Sequence, residues 1–272
     1  MLPALGCQTG VMLAHGYHAA QFALHILLHP IWRAPGAALL VALAGRVAGF
    51  ARTPRRTAIL ACLSAGAGWL VLDPSLAWPP APLARLPGLA LILALGTTTQ
   101  GRPALPLTCL LASWWLRGAP ISGPAILNCM PVFVGLWASI PIARRLARRD
   151  KGWSALAAAL ALSGSLLVTG AATHWSQAAI VAAMAALALI NTPDAGRALA
   201  APLMVVAAAA IVASDRGRLI PVDAAGLAPL LAWILTPRLT RGVAQHETAF
   251  AGLLAVILCI ALSYAAARIL TV

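Results

Sequence analysis

The residues richest in chemistry are four histidines near the start of the chain. In the run AHGYHAAQFALHILLHPIW, His15, His18, His25 and His29 fall within an arc of roughly 80° on one helix face. Four imidazoles in one stripe suit a metal, a haem iron or a proton path. The same stripe equally suits an amphipathic segment in a membrane interface, with its histidines wetted or bonded to neighbouring helices. Carboxylates are scarce. Asp215 and Asp223 are separated by eight residues and by Pro221, so they form no helical pair for acid–base work. Asp223 lies inside an apolar run, where it either couples transport to an ion or caps its helix. Asn128, Trp137 and Trp233 stand near two prolines, Pro131 and Pro229. An amide and two indoles beside helix prolines can line a path for an amphipathic solute, or they can pack helices and meet headgroups.

Other chemistry is excluded by what the sequence lacks. There is no Walker loop, no G-x-S-x-G, no H-E-x-x-H and no aspartate-rich diphosphate motif, so phosphate chemistry and the common hydrolytic mechanisms have no footing. Cys62, Cys109, Cys129 and Cys259 each lie inside an apolar run without zinc spacing and read as small buried hydrophobes. Cys7 follows Leu5-Gly6, but no basic or adequate apolar region precedes it, and a cleaved signal peptide is not expected. The expectation is a protein that is not an enzyme and holds no cofactor, unless the histidine stripe binds a metal or haem.

The elements that position these residues are apolar spans. Of 272 residues, 61% are hydrophobic and only 9% charged, with mean hydropathy +0.90, whereas soluble domains carry about 25% charged residues. The net charge of +13 is therefore read as topology signals beside anionic headgroups, with no nucleic-acid partner. The fold class expected is all-α: a polytopic integral membrane bundle of about 9–11 short transmembrane helices. Its organisation is a His-rich N-terminal helix over 1–35, a first helical half over 36–172 and a shortened second half over 173–272. Pro30 ends the first segment or kinks it, and Arg46, inside an apolar run, must snorkel or find a partner. The region from Leu86 to Leu116, interrupted by TTTQGRP, is one broken helix or two short spans.

With two spans there, eleven result, and a charge count tests their orientation. With the N-terminus inside, cytoplasmic connections hold Arg52, Arg55, Arg56, Arg102, Arg144, Arg145, Arg148, Arg149, Lys151, Arg197, Arg238 and Arg241, twelve of the nineteen Lys and Arg. Outer connections hold Arg33, Arg85, Arg117, Arg216 and Arg218. The bias matches retention of basic loops on the cytoplasmic side and points to a bacterial inner membrane.

The strongest orientation signal is a hairpin at 124–172, where two apolar runs flank the basic knot RRLARRDK. Its first run carries Pro131, and the pattern recurs from Gly226 with Pro229 in that place. This echo makes an internal repeat a candidate, and many secondary transporters are built that way. The segment SWWLRGAPISGPAILNCMPVFVGLWASIPIARRLARRDKGWSALAAALALSGSLL resembles the end of the third, the fourth and the fifth helices of an EamA-type domain, the repeat unit of the drug/metabolite transporter superfamily. Pro131-Val132-Phe133 and Gly164 stand at that pattern's central proline and last-helix glycine. The resemblance covers about a third of the chain and departs in three places: Asp150 alone lies near the loop where the pattern has an acidic residue, the two prolines are 98 residues apart, one span too few for a five-helix repeat, and the His-rich N-terminus belongs to no part of the pattern. It implies a multi-pass transporter or exporter of a small organic metabolite or drug-like solute. Two alternatives stand beside it: a metal- or haem-binding membrane protein using the histidine stripe, and a non-catalytic subunit packed as a homo-oligomer or against other membrane chains through its small residues.

Overall fold

The computed structural model describes residues 29–75, 80–98, 104–147, 152–192, 194–214, 221–239 and 248–270, and among these every regular element is helical. In chain order they are α1 (Pro30–Val47), α2 (Pro54–Leu72), α3 (Arg85–Thr98), α4 (Ala104–Leu116), α5 (Gly123–Leu127), α6 (Met130–Leu146), α7 (Trp153–Val168), α8 (Thr173–Leu189), α9 (Ala195–Ser214), α10 (Pro221–Gly226), α11 (Ala228–Leu239) and α12 (Thr248–Leu270). A short 3₁₀ turn, Phe50–Arg52, joins α1 to α2. Three stretches are long and apolar enough to cross a membrane: Gly123–Leu146, Ala195–Ser214 and Gly252–Ile269. Others are short. At 1.5 Å per residue α3 and α4 are about 20 Å long, against roughly 30 Å for a hydrocarbon core.

Four of the twelve helices are halves of two interrupted stretches, and both breaks have one cause. α5 and α6 are separated at Asn128 and Cys129, and α10 and α11 at Leu227. In each case proline is the second residue of the restarting helix, Pro131 in α6 and Pro229 in α11. Proline has no N–H to donate backwards but fits a helical first turn. Both prolines of the sequence echo therefore stand in the first turn of a restarting helix. The two broken passes are the fifth and ninth among the described residues, so they run in the same direction.

Hydrogen bonds between helices fix which ends share a face. Arg46 Nη1 donates to Ala188 O at 3.0 Å, tying the end of α1 to the end of α8; this is the partner its apolar setting demanded. Arg85 Nη1 donates to Leu116 O, tying the start of α3 to the end of α4. Trp69 Nε1 donates to Ala178 O at 3.0 Å, and Ser263 Oγ pairs with Ser165 Oγ at 2.9 Å. These contacts run α1 parallel to α8, α2 antiparallel to α8, α3 antiparallel to α4 and α7 parallel to α12. One face gathers Arg52, Arg55, Arg56, Arg144, Arg145, Arg197 and Arg238, and the opposite face gathers Arg33, Arg85, Arg117 and Arg268.

The core is built from small residues. α7, α8 and α9 contribute Ala158, Ala161, Ala178, Ala182, Ala186, Ala201 and Ala210, all fully or almost fully buried, and alanine lets helix axes approach closely while keeping helix propensity high. α9 is central and packs against α2, α3, α6, α7, α8 and α10. Trp69 and Trp233, both 0% exposed, are the large fillers in this alanine-lined interior. Leucine and isoleucine face outward instead: Leu40, Leu91, Leu107, Ile257 and Leu262 are all more than half exposed. That inversion, small inside and large apolar outside, is the pattern of a protein solvated by lipid.

One boundary differs from the sequence reading, and one choice it left open is decided. Pro30 opens α1 instead of ending a segment, with the His29 side chain accepting from Ile31 N–H at 3.4 Å as N-cap, so the helix runs across the expected 35/36 division. Leu86 to Leu116 resolves into two passes, α3 and α4. The expected His-rich helix, apart from His29, lies outside the described residues.

Candidate functional site

One cavity lies against both helix breaks. It measures about 520 Å³ and is bordered by Pro131 and Gly135 at the start of α6, by Asp223 of α10, by Leu227 at the second break, and by Met204 and Ile211 of α9. Arg117, just past the end of α4, and Ser139 of α6 add polar groups to a lining that is otherwise apolar. The prolines explain its position. A helix interrupted near one end leaves backbone that cannot pack as a straight helix against its neighbour, and two such interruptions border one cavity beside α9. Asp223 is the third residue of α10, inside its first turn. That position favours a carboxylate through the helix dipole but is not the N-cap position.

A second cavity, about 350 Å³, opens at the opposite end of the bundle. Pro54 and Arg55 at the start of α2, Ala104 at the start of α4, Asp194 and Arg197 at the start of α9, and Arg144 near the end of α6 surround it. Arg197 pairs with Asp194 at 3.6 Å.

The two cavities share one seam. On α6, Leu136 and Ser139 line the first and Ile140 and Arg144 the second. On α9, Met204, Ala208 and Ile211 line the first and Ala198 and Ala201 the second. Residues 136, 140 and 144, and 198, 201, 204, 208 and 211, follow the three-and-four spacing of a single helix stripe. α6 and α9 pack together, and the wall between the cavities is Leu136 and Ile140, each 1% exposed, against Met204 and Ala201, 5% and 2% exposed. It is about one helical turn, or ~5 Å, thick.

The sequence candidates divide on this geometry. Pro131 and Asp223 meet at the first cavity. Asn128 sits in the α5–α6 break and is exposed. Trp137 faces outward, 49% exposed and stacked on Phe133 with ring centroids 6.1 Å apart. Pro229 is buried, and Trp233 is buried with its Nε1–H unpartnered among the described residues. His29 is exposed, while His15, His18 and His25 lie outside the described residues. Arg117, Ser139, Arg144 and Arg197 were not singled out as site residues. The arginines had been read purely as loop charges, and only their position against a cavity separates them from Arg145 and Arg238, which are exposed. Comparison with protein-family models, with curated proteins and with solved structures finds no match to the chain.

Proposed function

We propose that this is a polytopic membrane transporter of a small amphipathic organic solute, working in a bacterial inner membrane with the Arg144 end cytoplasmic. One observation carries the reading: a cavity bordered by both proline-broken passes, in line with a second cavity at the other end of the same α6–α9 seam. Discontinuous helices around a solute site are a recurrent way to present half-helix ends and free backbone to a substrate. A thin wall between two vestibules is the arrangement that alternate opening requires. The opposed helix directions and the outward leucines support a bundle crossing the membrane many times, the short helices being matched by local thinning or by their neighbours. The resemblance to the EamA-type domain supports transport, although the broken passes recur after four passes where that repeat has five helices.

Purified protein in liposomes tests this. A panel of labelled small carboxylates, amines and neutral amphipathic compounds should include one taken up saturably. Gly135→Trp should abolish uptake by filling the first cavity, since nothing lies within 4 Å of the position. Gly123→Trp, equally open but outside the cavity, should leave it intact. In a background without native cysteines, Ser139→Cys and Ala201→Cys should react with impermeant thiol reagents from opposite sides. If no compound moves and both positions react from the same side, the reading fails.

A further inference from the structure

We infer that the second cavity is an oxyanion-binding site, centred on Arg144, that takes a carboxylate or phosphate group. The inference rests on the transport reading in one respect, that it names the chemical class of the solute, and its binding chemistry stands on separate observations.

The first is the charge around the cavity. Among the described residues that line it, three are arginines, Arg55, Arg144 and Arg197, and one is a carboxylate, Asp194. Asp194 is engaged with Arg197. Arg144 makes no hydrogen bond or ion pair among the described residues. It is partly buried, within electrostatic reach of Arg197 and of the buried Cys62 and Cys109 thiols, whereas the adjacent Arg145 is exposed. A charge needed only to hold a loop at the cytoplasmic face belongs with Arg145, in water and headgroups. Turning a guanidinium inward beside another guanidinium has an electrostatic cost that an anion between them removes.

The second observation is the backbone. The starts of α2, α4 and α9 all border this cavity, so three helix N-termini, each with partial positive charge, converge where the arginines do; at α2 the Arg56 N–H is already taken by the Thr53 cap. The nearby hydroxyls are directed elsewhere: Thr97 Oγ1 donates to Ala94 O and Thr108 Oγ1 to Ala104 O, at 2.6 and 2.7 Å. Recognition is left to the guanidinium fork of Arg144, whose planar geometry suits two oxygens of one carboxylate or phosphate.

A basic pocket between helices can take the headgroup of an anionic lipid as well as a free anion, and the test separates them. Full-length protein is titrated with inorganic phosphate and with succinate in uncharged detergent at constant ionic strength, following the unfolding temperature. In parallel it is placed in nanodiscs of phosphatidylcholine with or without phosphatidylglycerol. A saturable rise with the free anions, weakened at least tenfold in affinity by Arg144→Gln and partly kept by Arg144→Lys, supports a solute oxyanion site. A rise with phosphatidylglycerol alone, equally dependent on Arg144, supports the oxyanion chemistry and assigns it to a headgroup. If Arg144→Gln does not fold, Arg197→Gln, at the cavity edge, should lower the affinity by a smaller factor. No response to any of the three anions, or a response unchanged in these variants, overturns the inference. Binding without flux leaves this site standing and removes the transporter; flux of a cationic or neutral solute with no anion binding does the reverse.

Discussion

Substituting Gly68 by alanine should destabilise the bundle, because the added methyl meets backbone as well as side chains. A β-carbon at this position on α2 would lie 2.8 Å from the backbone oxygen of Ala34 in α1, 3.0 Å from Ala38 Cβ and 2.5 Å from Val181 Cγ1 of α8. Carbon–oxygen contacts settle near 3.3 Å or beyond, so α1 must retreat by about half an ångström, and carbon–carbon contacts near 3.5–4.0 Å require about an ångström from Val181. Val181 is fully buried and β-branched, with little rotamer freedom to yield. Overpacking of this kind costs about 1–3 kcal/mol. At about 2–4 °C per kcal/mol for a chain of this size, Gly68→Ala should unfold about 2–12 °C below the parent in detergent.

The control comes from the same residue type in the opposite setting. Gly135, on the cavity side of α6, has nothing within 4 Å of a built β-carbon, so alanine there should gain about 0.5–1 kcal/mol of helix propensity and raise the unfolding temperature slightly. Gly66→Ala falls between, because it meets only Ala90 Cβ at 2.7 Å before the next atom at 4.0 Å. Thermal unfolding followed by tryptophan fluorescence measures all three. Equal temperatures for Gly68→Ala and Gly135→Ala would refute the packing of α1, α2 and α8 from which the argument starts.

Further expectations are independent of that contact. Trp69→Phe removes the buried indole bond to Ala178 O at 3.0 Å and should cost about 1 kcal/mol, read as a fall of a few degrees in the same unfolding assay. Ser165→Ala and Ser263→Ala, which together break one buried interhelical pair, should show a coupling near 0.6 kcal/mol in a double-mutant cycle, and strict additivity would dismiss that bond. Spin labels at Leu91 and Leu107, 56% exposed each, should collide with oxygen and not with a polar nickel chelate, while a label at Ile121, in the 92% exposed turn before α5, should show the reverse. Cysteine at Ile121 should react with an impermeant reagent from outside intact cells, and cysteine at Thr53, the exposed N-cap of α2, only after permeabilisation. Reaction of Thr53→Cys in intact cells would invert the orientation drawn from the arginines.

The all-helical class was legible because an apolar, alanine- and leucine-rich chain with so few charges leaves little else to form. In the second half, charged or turn-forming groups such as NTPDAGR punctuate the apolar runs, and helices end or begin beside them, α8 at Leu189 and α9 at Ala195. The first half was harder for a physical reason. Its turns are themselves apolar or proline-containing, so Pro30 reads as a stop although proline serves equally well as the first residue of a helix, and nothing local decides between them. The two prolines of the hairpin and its echo carried the most transferable information: both mark breaks, and the breaks meet at one cavity. Trp137 shows the limit of the same reasoning. It lies six residues beyond Pro131, on the part of α6 that turns away from α9, and distance in sequence from a proline says nothing about which side of the helix an indole takes.

The arginines expose a deeper ambiguity, because one residue type serves two purposes at the end of a membrane helix. Arg144 and Arg145 are adjacent and identical in every sequence-level measure of charge bias. They differ only in the 100° that separates neighbours around a helix, which directs Arg144 toward Cys62, Cys109 and Arg197 and leaves Arg145 exposed. A count of basic loops therefore bears on the proposed orientation of the bundle while discarding the one rotation that separates Arg144 from Arg145. Exchange experiments isolate that rotation. Moving the charge from 144 to another exposed position on the same face keeps the count and should preserve insertion, while Arg144's contribution to the anion response should be lost. Moving it from 145 should change neither. Equal effects from the two moves would mean that the inward charge acts through topology alone.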